Sequence, residues 1–97
     1  MALVPQVIQD LAHADRIVPS RHAQDGLEAN GLGIDDVIES LLKGTLVKQE
    51  RDPKGPGKIY TIVGPALSGR KVYTTGKILE VADGSAYFLI TAHKADE

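Results

Sequence analysis

The chain has no cysteine, only three tyrosines and one phenylalanine as aromatic residues, and little excess of either charge, with 11 Lys and Arg against 13 Asp and Glu for a net charge of −2. Without cysteine there is no disulfide scaffold, no thiolate zinc site and no cysteine nucleophile, as fits a reducing compartment. No apolar run approaches the ~18 residues of a membrane span. The opening segment has no basic start, and Gln6, Gln9 and Asp10 interrupt its apolar residues, so it does not read as a signal peptide. The expectation is a cytoplasmic protein with no membrane contact. Balanced charge excludes a uniformly basic coat for nucleic acid.

What is present points to one globular domain. Of 97 residues, 42% are hydrophobic and 25% charged, a composition able to form a core. The balance conceals a segregation. Residues 1–42 hold two basic and seven acidic residues, residues 43–79 eight basic and two acidic, and residues 80–97 one basic and four acidic. The strongly basic stretch is the middle one.

That division coincides with a change of hydrophobic period. Val4, Val7, Ile8 and Leu11 recur at helical spacing, with Pro5 in a first turn. Ile17-Val18-Pro19 breaks the pattern, and Ser20 is an N-cap for a second helix that ends at Asn30-Gly31. A third helix is expected over Ile34–Lys43. Asp35 and Asp36 sit at its positive end, Val37, Ile38, Leu41 and Leu42 form its apolar stripe, and Gly44 stops it.

Beyond Gly44 the period is two. Strands are expected over Thr45–Arg51, a charged edge, and Lys58–Gly64, joined by the turn-rich segment 52–57. Arg70–Val81 and Ser85–His93 read as a hairpin about Ala82-Asp83-Gly84. Helices followed by a meander indicate an α+β domain, with N-terminal helices packed on one face of a four-stranded antiparallel sheet. It spans 1–97 as a single domain, with residues 1–18 an extra N-terminal helix on an α+β core over 20–94.

A three-residue hairpin loop pairs Tyr73 with His93, Thr75 with Thr91, and Ile78 with Phe88. Ile78, Phe88, Val72, Ala92, Ile59 and Val63 then make a core face. Lys58, Tyr60, Tyr73, Thr75, Lys77, Thr91 and His93 fall on the opposite face, shared with Leu79 and Leu89.

From His22 onward the chain resembles the domain-of-unknown-function family 4258. The likeness rests on His22-Ala23, Gly31-Leu32, Asp35-Asp36-Val37, Lys43-Gly44, the run Tyr60–Gly64, Gly69-Arg70 and Ile90-Thr91, about three quarters of the chain. It implies a small α+β domain related to the toxin ribonucleases of bacterial toxin–antitoxin systems, and no established reaction. Family members often carry two arginines where this chain has Gly26 and Asn30, which removes two candidate phosphate ligands.

The candidate chemistry is RNA-directed. His22, at a helix start, and His93 are candidate proton-transfer groups, because imidazole titrates near neutrality. Arg70 and Lys77 are candidate stabilisers of a phosphate in flight. Lys58, Tyr60, Arg70, Lys71, Tyr73, Lys77 and Thr91 are the candidate contacts to nucleic acid. Each has a plainer explanation: a helix-terminal histidine, good strand formers on a half-exposed face, and lysines guarding an edge. The three histidines are too dispersed for a metal motif, and no cofactor is implied. The expected partners are RNA, a small antitoxin-like protein or a second copy of the chain. The competing function is a non-catalytic protein-binding module.

Overall fold

The computed structural model describes residues 2–95. The elements in chain order are β1 (Ala2–Leu3), α1 (Gln6–His13), β2 (Ile17–Pro19), α2 (Arg21–Ala29), α3 (Ile34–Lys43), β3 (Thr45–Arg51), β4 (Lys58–Pro65), β5 (Lys71–Val81) and β6 (Gly84–Lys94). They form an α+β domain: three helices on one face of a six-stranded sheet ordered β1-β3-β4-β5-β6-β2. The expected four antiparallel strands are its centre. β1 adds an antiparallel edge beside β3, and β2 a parallel edge beside β6, so the sheet is mixed. Segments of two and three residues are too short to show any period, which is why the sequence pattern passes over both.

Local chemistry fixes the helix ends. The Ser20 hydroxyl accepts from Ala23 N at 3.0 Å and caps α2. At its other end Leu32 N donates to Leu27 O and Gly31 N to Glu28 O, with Gly31 at φ +68°, a Schellman motif that also buries Leu27 against Leu32. Asp36 serves two purposes at the start of α3. One carboxylate oxygen accepts from the N-cap amide of Gly33, and the other accepts from Leu67 N in the β4–β5 loop.

Ile8, Leu11, Ala23, Leu27, Val37 and Leu41 of the helices meet Ile62, Val72, Tyr87, Leu89 and Ala92 of the sheet. Two assignments of strand face differ from expectation. In β4 the helix-facing residues are Tyr60, Ile62 and Gly64, not Ile59 and Val63. The run Ile59-Tyr60-Thr61-Ile62-Val63 is apolar at both parities, and the choice is made at Gly64, where α3 presses its Ser40 backbone against the strand. In β6, Tyr87 and Leu89 point inward and Phe88 outward. The β5–β6 turn has two residues, pairing Val81 with Gly84, which shifts the register by one near the turn and sets Ile78 opposite Tyr87. A bulge at Ile90 then restores the expected pairs Thr75–Thr91 and Tyr73–His93.

Tyr87 fits because Gly76 leaves room for it. A Cβ at position 76 would lie 2.5 Å from the Tyr87 ring, and the ring is completely buried. Its hydroxyl has no hydrogen-bond partner among the described residues, and burial, with Tyr60 nearby, pushes its pKa up. Gly76→Ala is therefore expected to cost about 1–3 kcal/mol by overpacking. Tyr87→Phe is expected to raise stability by roughly 1 kcal/mol, by removing an unsatisfied buried hydroxyl. Thermal unfolding of the two variants checks both, and a destabilised Tyr87→Phe would refute the second.

Candidate functional site

The helices cover one side of the sheet; the other carries no helix among the described residues and is covered near Lys77 by the segment that begins at Asp52. On this open side the register aligns side chains in rows across the strands. One row runs Thr45, Val63, Tyr73, His93, and the next runs Lys48, Thr61, Thr75, Thr91. Beyond these lie Ile59, Lys77, Phe88 and Val18.

The first row ends in an aromatic pair. Tyr73 and His93 are direct cross-strand partners, and their rings stack with centroids 4.8 Å apart and planes 19° from parallel. His93 is exposed and Tyr73 half-buried beneath it. His93 Nδ1 lies 2.9 Å from Lys94 O. A carbonyl only accepts, so Nδ1 donates, leaving Nε2 of the neutral ring as an acceptor.

At the other end of that row lies a cleft of about 480 Å³, lined by Lys43, Thr45, Val47, Val63 and Lys71 with glycine backbone between them. Val47 is turned into it by a β3 bulge between Leu46 and Lys48. Lys71 shares the open face with Tyr73, two residues on and about 7 Å along the strand. Lys43 is largely exposed and pairs with Glu39 at 2.7 Å.

Several expected site residues lie elsewhere. Lys58 and Tyr60 have helix-side parity, and Tyr60 packs against the core beside Tyr87, so Tyr73 is the single tyrosine on the open face. His22 is exposed on α2, in the helical layer. Arg70 reaches to the end of the same helix, where its guanidinium donates to Asn30 O at 2.8 Å. His22 and Arg70 thus stand across the sheet from His93. Lys77 is on the open face, but its ammonium is taken: it donates to Asp52 Oδ2 in a pair with only 18% and 8% of the side chains exposed. Lys71, Tyr73, Thr91 and His93 are the expected residues that the structure brings together.

Positions 26 and 30 also have local explanations. A Cβ at Gly26 would collide with the Ala92 carbonyl, so α2 lies on β6 backbone to backbone and no arginine fits there. Asn30 closes α2: its Nδ2 donates to Gly26 O at 2.6 Å, and its Oδ1 accepts from Lys94 N.

The role of Asp52 is invisible in the linear pattern. It lies inside the turn-rich segment 52–57 and is clasped by that segment, with Lys54 N donating to Oδ1 and Asp52 N to Gly57 O. The Lys77 ammonium, and then the Lys54 amide, hold its pKa below the usual carboxylate value of 3.8. Arg16 plays a similar part at the β5–β6 turn, donating to Ser85 O and to Asp83 Oδ1 at 2.9 Å, and it holds the Asp83 pKa down. Among the described residues no group of three His, Asp or Glu is placed to hold a metal ion, and no helix is long and apolar enough to cross a membrane.

No protein-family model, curated protein or solved structure matches the chain.

A carboxylate with a lowered folded-state pKa contributes stability above its unfolded pKa, and loses it as pH falls through the folded value. Asp52→Asn is thus expected to unfold at a lower temperature than wild type at pH 7. The gap should narrow from about pH 4 downward. An equal gap at pH 7 and pH 2 would show that the Asp52 charge contributes nothing.

Proposed function

We propose that this domain binds single-stranded RNA on the open sheet face, with the Tyr73–His93 stack as the base platform. The stack is the observation that supports it most directly. A half-buried ring carrying an exposed one offers a flat π-surface on a rigid strand pair, and bases stack on such surfaces without regard to sequence. Lys71 lies two residues from Tyr73 on the same face of β5, where it favours a phosphate beside a stacked base, and Lys43, at the end of α3, lines the cleft beside it. Thr75 and Thr91 supply hydroxyls in the adjacent row, able to donate to or accept from a ribose 2′-hydroxyl.

Binding is favoured over cutting. Phosphodiester cleavage needs a base, an acid and cations around one phosphate. Of the four candidates for those roles, only His93 is both on the open face and uncommitted. Lys77 holds Asp52, while Arg70 and His22 serve the helical side. The resemblance to relatives of toxin ribonucleases agrees with an RNA partner and does not require this chain to have their reaction.

Fluorescence anisotropy with a labelled RNA oligonucleotide tests the proposal. Tyr73→Ala and His93→Ala are each expected to weaken binding by about 1–3 kcal/mol, a loss of roughly 5- to 150-fold. Lys71→Ala should weaken it for all sequences and lower the slope of log affinity on log salt by about 1. Binding unaffected by Tyr73→Ala would overturn the proposal. Shortening of the RNA by wild type but not by His93→Ala would overturn the preference for binding over cutting.

A further inference from the structure

Among the described residues, part of one outer edge of the sheet is uncovered. β1 pairs only with Thr45 and Leu46, so from Lys48 to Arg51 strand β3 has no neighbour on its outer side among the described residues. All four side chains are exposed. An uncovered strand of this kind presents unpaired N–H and C=O groups to any strand that can align with it.

Charge on such an edge usually prevents pairing, and a row of lysines would repel its own copy. Here the signs alternate. Lys48 and Glu50 project on the same open face, 3.3 Å apart at their charged atoms, with Gln49 between them on the helix side. When the strand is laid antiparallel to a copy of itself with Gln49 facing Gln49, Lys48 falls opposite Glu50 and Glu50 opposite Lys48. The four charges then alternate in a closed square. Centring the pair on Lys48 or on Glu50 sets like charges face to face, and centring it between Gln49 and Glu50 sets Lys48 against Arg51. Of the registers centred on a residue, which keep both open faces on one side, this one alone is complementary.

We propose that the β3 edge is a self-association surface, and that its partner is a second copy of this chain joined antiparallel about Gln49. The two-fold axis stands perpendicular to the sheet, so the interface is isologous and the two six-stranded sheets run on as one. Both bare faces lie on the same side, with both Tyr73–His93 rows exposed and remote from the join. The contact is short, and its association is of the weak, concentration-dependent kind that small interfaces give.

The alternating charges supply a decisive test. In sedimentation velocity at low salt, wild type is expected to shift from monomer towards dimer between about 10 μM and about 1 mM, the range of weak association. Glu50→Lys sets lysines opposite one another and should keep the protein monomeric throughout. The exchange Lys48→Glu with Glu50→Lys restores the alternation and should restore the dimer. The absence of cysteine allows an independent measurement. Under mild oxidation Gln49→Cys is expected to form a disulfide-linked dimer in much higher yield than Ser68→Cys, which lies on an exposed loop away from this edge. Wild type that stays monomeric at about 1 mM, a double exchange that behaves like Glu50→Lys, or equal disulfide yields from the two cysteines would each overturn the proposal. None of these results bears on RNA binding, which is read on the other measurement.

Discussion

The Tyr87 ring fills the space that a side chain at Gly76 would occupy, and the rest of the sheet is arranged around that contact. Its position is enforced from both strands. Glycine at 76 leaves a hole on the helix-facing side of β5, and Tyr87, fully buried, is the largest side chain available to fill it. Because a strand alternates faces, Tyr87 inward means Leu89 inward and Phe88 outward. Continued unbroken, that alternation would turn Thr91 and His93 into the helical layer. The bulge at Ile90 reverses the parity, so that Ala92 takes the inner place under α2 and His93 comes out onto the bare face against Tyr73. The stacked pair exists because a core packing constraint at one end of the hairpin is separated by a bulge from the other end.

Polar contacts then hold the ends of the strands in place. Arg16 joins the α1–β2 connection to the β5–β6 turn through Ser85 and Asp83, and its own carbonyl accepts from Tyr87 N. Asp52 folds the segment after β3 back over the sheet and takes up Lys77. A nearly buried carboxylate and ammonium satisfy one another, and removing either leaves an uncompensated charge. The same contact shapes the electrostatics of the open face, since it neutralises Lys77 and leaves Lys71, two residues from Tyr73 on β5, as the cation beside the stack on that strand.

How much of this could be read from residues alone varied with the physical source of the signal. Helix α3 was legible over its full length, because a flanking acidic turn, an apolar stripe and a terminal glycine are all local. The Ser20 cap was legible for the same reason, whereas the Tyr73–His93 pair, expected from a three-residue turn, is reached instead through a two-residue turn and the bulge at Ile90. The faces of β4 and of the turn-proximal half of β6 were not. Their inward positions include Gly64, whose value lies in having no side chain, while β6 offers Tyr87, Phe88 and Leu89 in succession. A hydrophobic pattern cannot register a core position occupied by absence. The partner of Lys77 was equally hidden, since Asp52 lies 25 residues away in a segment that reads only as a turn.

Capping, periodicity and charge are properties of neighbouring residues, so the α+β class, the ends of α2 and α3 and the division into an acidic helical half and a basic strand half are already written along the chain. Only the tertiary structure decided which residues share a surface. It separated His22 and Arg70 from His93, tied Lys77 to Asp52, turned Tyr60 inward, and left Tyr73, His93 and Lys71 together on the bare face. It also left the β3 edge uncovered. The physical reason is that face and edge depend on where one glycine, one bulge and two very short strands fall within the whole sheet, and none of these carries a periodic signal of its own.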